Sequence, residues 1–430
     1  EIVGVASVIP FMTLVGDITQ LQKDTLIAKV YQASGITSEL RFIFLLGVGV
    51  LAMLLISTIV FMFTIWRMYM FANKIGTEIA DTLYTYYIKQ EWLFHASGSS
   101  SRLTKKIATE VQRVTSGILV PLMNMNARIV VSIFLSVSIF IFDPKVAIFG
   151  LTIFGIAYFT LFKSVKRRLQ LNGRTISDVN EKRFRLMNEG FGGIKDVLLL
   201  GRDENYIKRF NLTGLKLAYS QGTNAALAYV PRYFMELVAF GSMISLVLYL
   251  ISSHNGNLAM ILPVLSVYAL ATFKLLPAFQ HIYASLAYIK GHTAAFESIQ
   301  SDFKDSLNND LSHSSKEKVY LYPKNKISIE NVTFAYPKIY EPSIKKISFT
   351  ITANNIVGIV GSSGSGKSTL IDVLLGFMKP QQGYIKIDDV ILNAQNRRHW
   401  QNSIGLVSQS IFLSESSIAQ NIAFGISDEK

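Results

Sequence analysis

From Phe42 to Trp66 the chain carries no charged residue. As an α-helix rising about 1.5 Å per residue, a stretch of that length covers the roughly 30 Å hydrocarbon core of a bilayer and more. Four further apolar runs follow. Gly117 to Phe142 is broken only by Arg128, and Val146 to Phe162 follows the turn Asp143-Pro144-Lys145. Ala225 to Ile251 contains Arg232 and Glu236, and Leu258 to Ile289 contains Lys274 and His281. Ile2 to Val15 is apolar but short, and reads as the outer end of a first helix. The expectation is six spans, the first incomplete. Composition agrees: 50% of residues are hydrophobic and 17% charged, against about 25% charged in soluble proteins. A net charge of +13 on so apolar a chain does not describe a nucleic-acid binder, which would be hydrophilic throughout. No cysteine is present, so disulfide frameworks and thiolate metal sites are excluded. With only six scattered histidines, most hydrolytic chemistries lack their usual parts.

Lysine and arginine are unevenly distributed between the connections. Arg67, Lys74, Lys89, Arg102, Lys105, Lys106 and Arg113 fall in one, and clusters such as Lys166-Arg167-Arg168 and Lys182-Arg183-Phe184-Arg185 in another. The opposite connections are poor in both, which places the long connections in the cytoplasm. They contain no proline and are too long for structureless loops. Membrane helices are therefore expected to continue into the cytoplasm as two hairpins, turning near 95–101 and 190–193. On the outer side, Leu26, Ile27, Val30 and Tyr31 fall on one face of a short helix over 25–33. That face suits either the membrane interface or a cap on the bundle. The expected domains are a membrane domain over 1–301, a polar linker over 302–325 and a truncated soluble α/β domain over 326–430. Short apolar strands are predicted at 327–332, 347–351, 356–360, 384–387 and 404–407, with one helix over 367–376.

That last domain holds the most specific signal: Gly361-Ser362-Ser363-Gly364-Ser365-Gly366-Lys367-Ser368-Thr369. It fits G-x-x-x-x-G-K-[ST] between a strand pattern and a helix pattern, the context that phosphate-binding loops need. Glycines let backbone N–H groups turn inward around a phosphate, and the helix N-terminus adds partial positive charge. Lys367 is placed to neutralise the β- and γ-phosphates and the Ser368 hydroxyl to complete a Mg²⁺ shell. A nucleoside triphosphate is the expected ligand. Tyr336, at a strand end, is placed either to stack on an adenine ring or simply to pack. Gln409 follows a strand pattern, where its amide would reach Mg²⁺ and the attacking water.

The tract from Gly405 to Gly425, with Gln409, Ile418 and Asn421, resembles the glutamine loop of ABC transporter ATPases. The order strand, Tyr336 and phosphate loop, and the stretch from Gly376 to Ile387, are similar to them too. Residues 189–197, with Phe210 downstream, resemble the second cytoplasmic loop of ABC exporters. The resemblance covers essentially the whole chain. It implies an ATP-driven half-transporter with ATP and Mg²⁺ as cofactors, a homodimer in which each ATP lies between two copies, and membership of the bacterial inner membrane with the ATPase domain cytoplasmic. The signature motif, Walker B strand, catalytic glutamate and switch histidine of that family all fall downstream of the glutamine loop. The chain therefore reads as one half-transporter cut short at both ends, able to bind ATP in part.

For the cargo, ionisable residues within apolar runs are the local guide. Arg232 and Glu236, four apart, pair with each other or face a cavity. Arg67 ends its run and either snorkels or serves a substrate. Lys274 lies mid-run. Inward cations suit a phosphate or pyrophosphate. Residues 230–236 and 271–277 resemble the fifth and sixth membrane helices of PglK-type flippases, which translocate polyprenyl-pyrophosphate-linked oligosaccharides. In those, cavity arginines meet the pyrophosphate; Arg232 matches directly, Lys274 with lysine for arginine, and Arg67 approximately. The resemblance implies a polyprenyl-linked glycan as substrate. Another lipid, drug or peptide is the alternative, and an ATP-gated channel or non-transporting regulator is the alternative of another class.

Overall fold

The computed structural model describes residues 11, 14, 15, 21, 26–142, 144–253, 258–308, 319–337, 339–409 and 411–426. The apolar run 2–15 lies almost wholly outside them. The chain divides into two compact units, Glu1–Lys89 with Ser99–Asn309, and Gln90–Gly98 with Asp310–Lys430.

The first unit is helical. Helix α1 (Leu26–Ala33) is followed by α2 (Glu39–Ile88), whose N-cap Ser38 accepts the Arg41 N–H. At about 1.5 Å per residue, α2 is about 75 Å long and outruns a ~30 Å hydrocarbon core by about 45 Å. Phe44, Leu51, Leu55 and Phe63 on it are exposed, as lipid-facing side chains are. The second unit contains α3 (Trp92–Ser97). Helicity resumes in the first unit through α4 (Ser100–Lys105), α5 (Val111–Val114) and α6 (Val120–Phe142), joined by π-helical turns at Lys106–Glu110 and Thr115–Leu119. Then come α7 (Pro144–Gly192), α8 (Ile194–Leu199), α9 (Asp203–Tyr229), α10 (Pro231–Ser253) and α11 (Leu258–Asn308). Among the described residues, Glu39–Ile88 and Ser100–Val137 are long and apolar enough to cross a membrane. The other expected spans lie on α7, across the end of α9 and α10 with a break at Val230, and on α11. Residues 302–308, expected in the linker, are the last turns of α11, and 309–318 lie outside the described residues.

The helices of the first unit are tied together by buried charge. The Val111 N–H donates to the Lys106 carbonyl, five residues back. In a regular α-helix, residues five apart point about 140° away from each other; the wider π turn brings Lys105 and Glu110 onto one face. Lys105 Nζ lies 3.5 Å from Glu110 Oε1, an ion pair without hydrogen-bond geometry, and 3.3 Å from Glu181 Oε2 on α7. Arg113 donates from Nη1 to Glu110 Oε2 at 2.7 Å and to Ser177 Oγ at 2.6 Å, and from Nη2 to the Gly173 carbonyl at 3.2 Å. Gly173 is itself required by close packing, since a Cβ there would sit 2.3 Å from the Gly291 carbonyl oxygen on α11.

A second tie holds the end of α11. Asp302 accepts hydrogen bonds from Lys106 Nζ at 2.6 Å and from the Tyr87 hydroxyl at 2.5 Å. Burial alone would raise the Asp302 carboxyl, but the Lys106 and Tyr87 hydrogen bonds and the Lys106 charge outweigh it and hold it below its ordinary value. A depressed carboxylate stabilises the fold above its unfolded-state pKa, and that stability is lost as pH falls through the lowered folded value. Asp302→Asn is accordingly expected to lower the thermal midpoint at pH 7, with the difference from the native protein closing in acid. A difference that stays constant with pH would assign the effect to packing instead.

The second unit carries a four-stranded antiparallel sheet, in the order β2-β1-β3-β4: β1 (Lys326–Phe334), β2 (Ile344–Thr352), β3 (Gln382–Ile387) and β4 (Val390–Ile391). Ile329, Val332 and Phe334 of β1 are buried, their spacing shifted by an irregularity at Asn331 (φ +50°). Helix α12 (Lys367–Leu374) buries Leu370 and Val373 in the same core, with α13 (Arg397–Gln401) and α14 (Ile418–Ile422) after it. The strands predicted at 356–360 and 404–407 do not form among the described residues. An extended segment becomes a strand only when a neighbour supplies ladder hydrogen bonds, and no described strand does. Ile356, Val360 and Val407 are almost fully exposed.

Candidate functional site

Residues 361–366 lead into α12, and 367–369 form its first turn. Gly364 and Gly366 have φ of +81° and +87°, a region that residues with a Cβ rarely enter. At Gly366 a Cβ would also meet the Ser343 carbonyl oxygen at 2.4 Å. The loop closes through the Ser365 N–H on the Ser362 carbonyl, and α12 begins with the Leu370 N–H on the Gly366 carbonyl. Gly366 is the N-cap of α12 and supplies no side-chain cap, so the first-turn N–H groups point outward unsatisfied. Lys367 Nζ lies back across the loop, donating to the carbonyls of Gly361 at 2.8 Å and Ser362 at 2.6 Å. Open amides, a helix N-terminus and an ammonium group thus converge on one concave turn, an arrangement that fits a phosphate chain.

Tyr336 is brought to the same place. Its hydroxyl lies 3.3 Å from Thr369 Oγ1, and its ring packs edge-on against Phe334. Ser368, next to Lys367, is exposed at the loop. Gln409 is exposed in a segment without regular structure, and no hydrogen bond among the described residues joins it to the loop. The described residues contain no cluster of three or more His, Cys, Asp or Glu to hold a metal. One hydroxyl beside a phosphate cradle fits Mg²⁺, a hard ion that takes phosphate oxygens and keeps water ligands.

The sequence reading missed what supports α12 from behind. Residues Gln90–Gly98 belong to this unit, whereas the pattern reads there only as a turn. The Trp92 side chain hydrogen-bonds Asp372 on α12, whose carboxyl is raised by burial with the Trp92 bond opposing. Trp92 also packs against Phe377, and Glu91 pairs with Arg397 at 3.0 Å. Trp400 Nε1 donates to the Leu374 carbonyl at the end of α12. A tryptophan beside an acidic residue in a polar turn was the available signal, but its partners lie far away in sequence.

The three candidate cargo residues do not converge on a described site. Arg67 is exposed on α2. Arg232 donates from Nε to Glu236 Oε1 at 2.8 Å, the within-helix pair that the four-residue spacing allows. Lys274 lies on α11, but its side chain is outside the described residues.

Residues 344–430 match the ABC transporter family and residues 7–275 the ABC transporter transmembrane region. The chain is 23% identical over 366 residues to an ATP-dependent lipid A-core flippase of Wigglesworthia glossinidia brevipalpis, which covers 82% of this chain and 60% of that protein. A protein of the same description from Coxiella burnetii is 38% identical over 139 residues, 32% of this chain and 23% of its own. A solved structure of a bacterial Atm1-family ABC exporter with ATP bound aligns with a TM-score of 0.71 at 16% identity, covering 99% of this chain and 73% of that one. At that identity the likeness is one of fold. The chain thus spans about 60% of the length of the Wigglesworthia protein.

Proposed function

The chain belongs to the ABC transporter family, and we propose that, within its full-length protein, it uses ATP to move an amphiphilic glycolipid across the bacterial inner membrane as a homodimer. The observation that carries this reading is a phosphate cradle at 361–369 on the same chain as helices of membrane-spanning length. Tyr336 would bear on the adenine, the loop amides and Lys367 would bind the phosphates, and Ser368 and Gln409 would hold Mg²⁺. When bound, that ion offsets phosphate charge; Lys367 orients the terminal phosphate, and Gln409 positions the attacking water. Phe191, Leu198, Leu199 and Leu200 stand exposed around α8, on a hairpin read as cytoplasmic, where lipid would not cover them. Such an apolar tip supports a second copy of the chain as its cover.

For the cargo, the likeness of 230–236 and 271–277 to PglK-type flippases supports a polyprenyl-(pyro)phosphate-linked oligosaccharide. The lipid A-core flippases among the relatives favour a second reading, a glycolipid built on lipid A. Full-length protein in proteoliposomes separates them: ATP-dependent flipping of a fluorescent polyprenyl-pyrophosphate glycan should exceed that of a lipid A probe. Arg232→Ala and Lys274→Ala should each lower it about tenfold or more. Unimpaired flipping in both variants would remove the pyrophosphate contacts from the proposal. A preference for the lipid A probe would select the second reading.

A further inference from the structure

Where α5, α7, α9 and α11 meet, a cavity of about 190 Å³ opens between Arg113, Gln221, Asn224, Tyr288 and His292, with Ile176 among its apolar walls. A single water needs only ~10–15 Å³ of such space, so a polar group of several atoms fits. Its position follows from the sequence: Arg113 precedes the apolar run at Gly117, Gln221 and Asn224 precede the run at Ala225, and His292 follows the run that ends at Ile289. The cavity therefore lies at the cytoplasmic edge of the spans, where a lipid headgroup would meet the protein.

Its lining is one-sided in charge. No Asp or Glu is among the residues that line it. Arg113, only 9% exposed, spends three N–H groups on Glu110, Ser177 and the Gly173 carbonyl. Two of its five N–H donors have no hydrogen-bond partner among the described residues. His292 donates from Nδ1 to the Tyr288 carbonyl at 2.8 Å, so Nε2 accepts in the neutral ring and donates only in the imidazolium. Burial, with the Arg113 charge acting in the same direction and the Tyr288 carbonyl opposing, lowers the His292 pKa. Asn224 is held by Asn172 and the Leu169 carbonyl, while Gln221 is exposed with its amide available. Guanidinium and carboxamide donors, with an imidazole that donates from Nε2 once it is protonated, surround a space lined by no carboxylate, the chemistry that receives a phosphate oxyanion.

We propose that this cavity is a docking subsite for the phosphate group of the transported lipid, with Arg113, Gln221 and His292 as its ligands. The inference rests on the glycolipid reading above, and names the place where the headgroup is held before it crosses. The same chemistry would take a free phosphate compound, so the test must tell the two apart.

The test uses full-length protein in nanodiscs with ¹⁵N-labelled histidine, the His292 signals being assigned by their loss in His292→Gln. The probes are farnesyl diphosphate, inorganic pyrophosphate and farnesol. Farnesyl diphosphate should shift the His292 resonances and raise the pH at which the ring titrates, because a neighbouring anion favours imidazolium. Farnesol should not. Gln221→Leu should weaken the farnesyl diphosphate response about tenfold, the scale of one hydrogen bond to a charged group. Arg113 is a poor variant because its loss strands Glu110. A response to pyrophosphate equal to that of farnesyl diphosphate would show that headgroup chemistry alone suffices; a response to farnesyl diphosphate only would assign the site to lipid. Movement of His292 by farnesol, or by neither phosphate probe, would overturn the proposal. Because binding is read without transport, a protein that flips glycolipid with a silent His292 refutes the subsite alone. A responsive His292 without flipping refutes the transport reading instead.

Discussion

Replacing Lys367 by alanine in the full-length protein is expected to lower ATP hydrolysis by about 10²–10³-fold, the range seen when one pre-aimed donor to developing charge is removed. Lys367 is the side chain whose ammonium reaches across the loop mouth, bound to the Gly361 and Ser362 carbonyls. A bound phosphate chain would compete for that ammonium, so on the proposed function its charge would serve the ligand rather than the fold. Thermal stability without nucleotide should therefore change little, because the bonds lost are exposed. ATP-dependent flipping should fall in step with hydrolysis. Hydrolysis within tenfold of native would show that Lys367 does not face the terminal phosphates.

Glu110→Ala is expected to act on the fold, and strongly. Glu110 is fully buried and stands between Lys105 and Arg113, themselves buried. Its removal leaves two cations out of water, with Glu181 as the remaining nearby acid for Lys105. Breaking a buried pair by removing one partner costs about 3–5 kcal/mol, so loss of folded protein in the membrane or a much lower thermal midpoint is the expected result. The effect should come from stranded charge rather than lost packing. Replacing Lys105, Glu110 and Arg113 together by apolar residues of similar volume should then restore most of the stability. If the triple variant is as unstable as the single one, the hydrogen bonds from Arg113 to Ser177 and Gly173 contribute more than the ion pairs.

How far each site was legible in the sequence follows from how local its signal is. The loop at 361–369 is contiguous, and its requirements for left-handed glycines and an ammonium group are met within nine residues. Its pattern could be read directly, as could the apolar runs, because lipid imposes length on a single segment. The strands at 356–360 and 404–407 were read from local alternation, but a ladder also needs a partner, which sequence periodicity does not contain. Arg232 and Glu236 carried two readings at one spacing, and the structure supplies the pairing.

The long apolar runs, the uneven distribution of lysine and arginine between their connections and the glycine-rich loop at 361–369 are properties of the chain taken segment by segment, since solvent, charge bias and backbone geometry act locally. Tertiary structure decided where distant groups meet. It put Trp92 against the helix that carries Lys367. A π turn brought Lys105 and Glu110 to one face, opposite the rotation that regular helical spacing predicts. And it gathered Arg113, Gln221 and His292 around one cavity, although they stand on three helices and nothing in their spacing links them. Burial makes those meetings energetically large, and burial is a property of the packed whole.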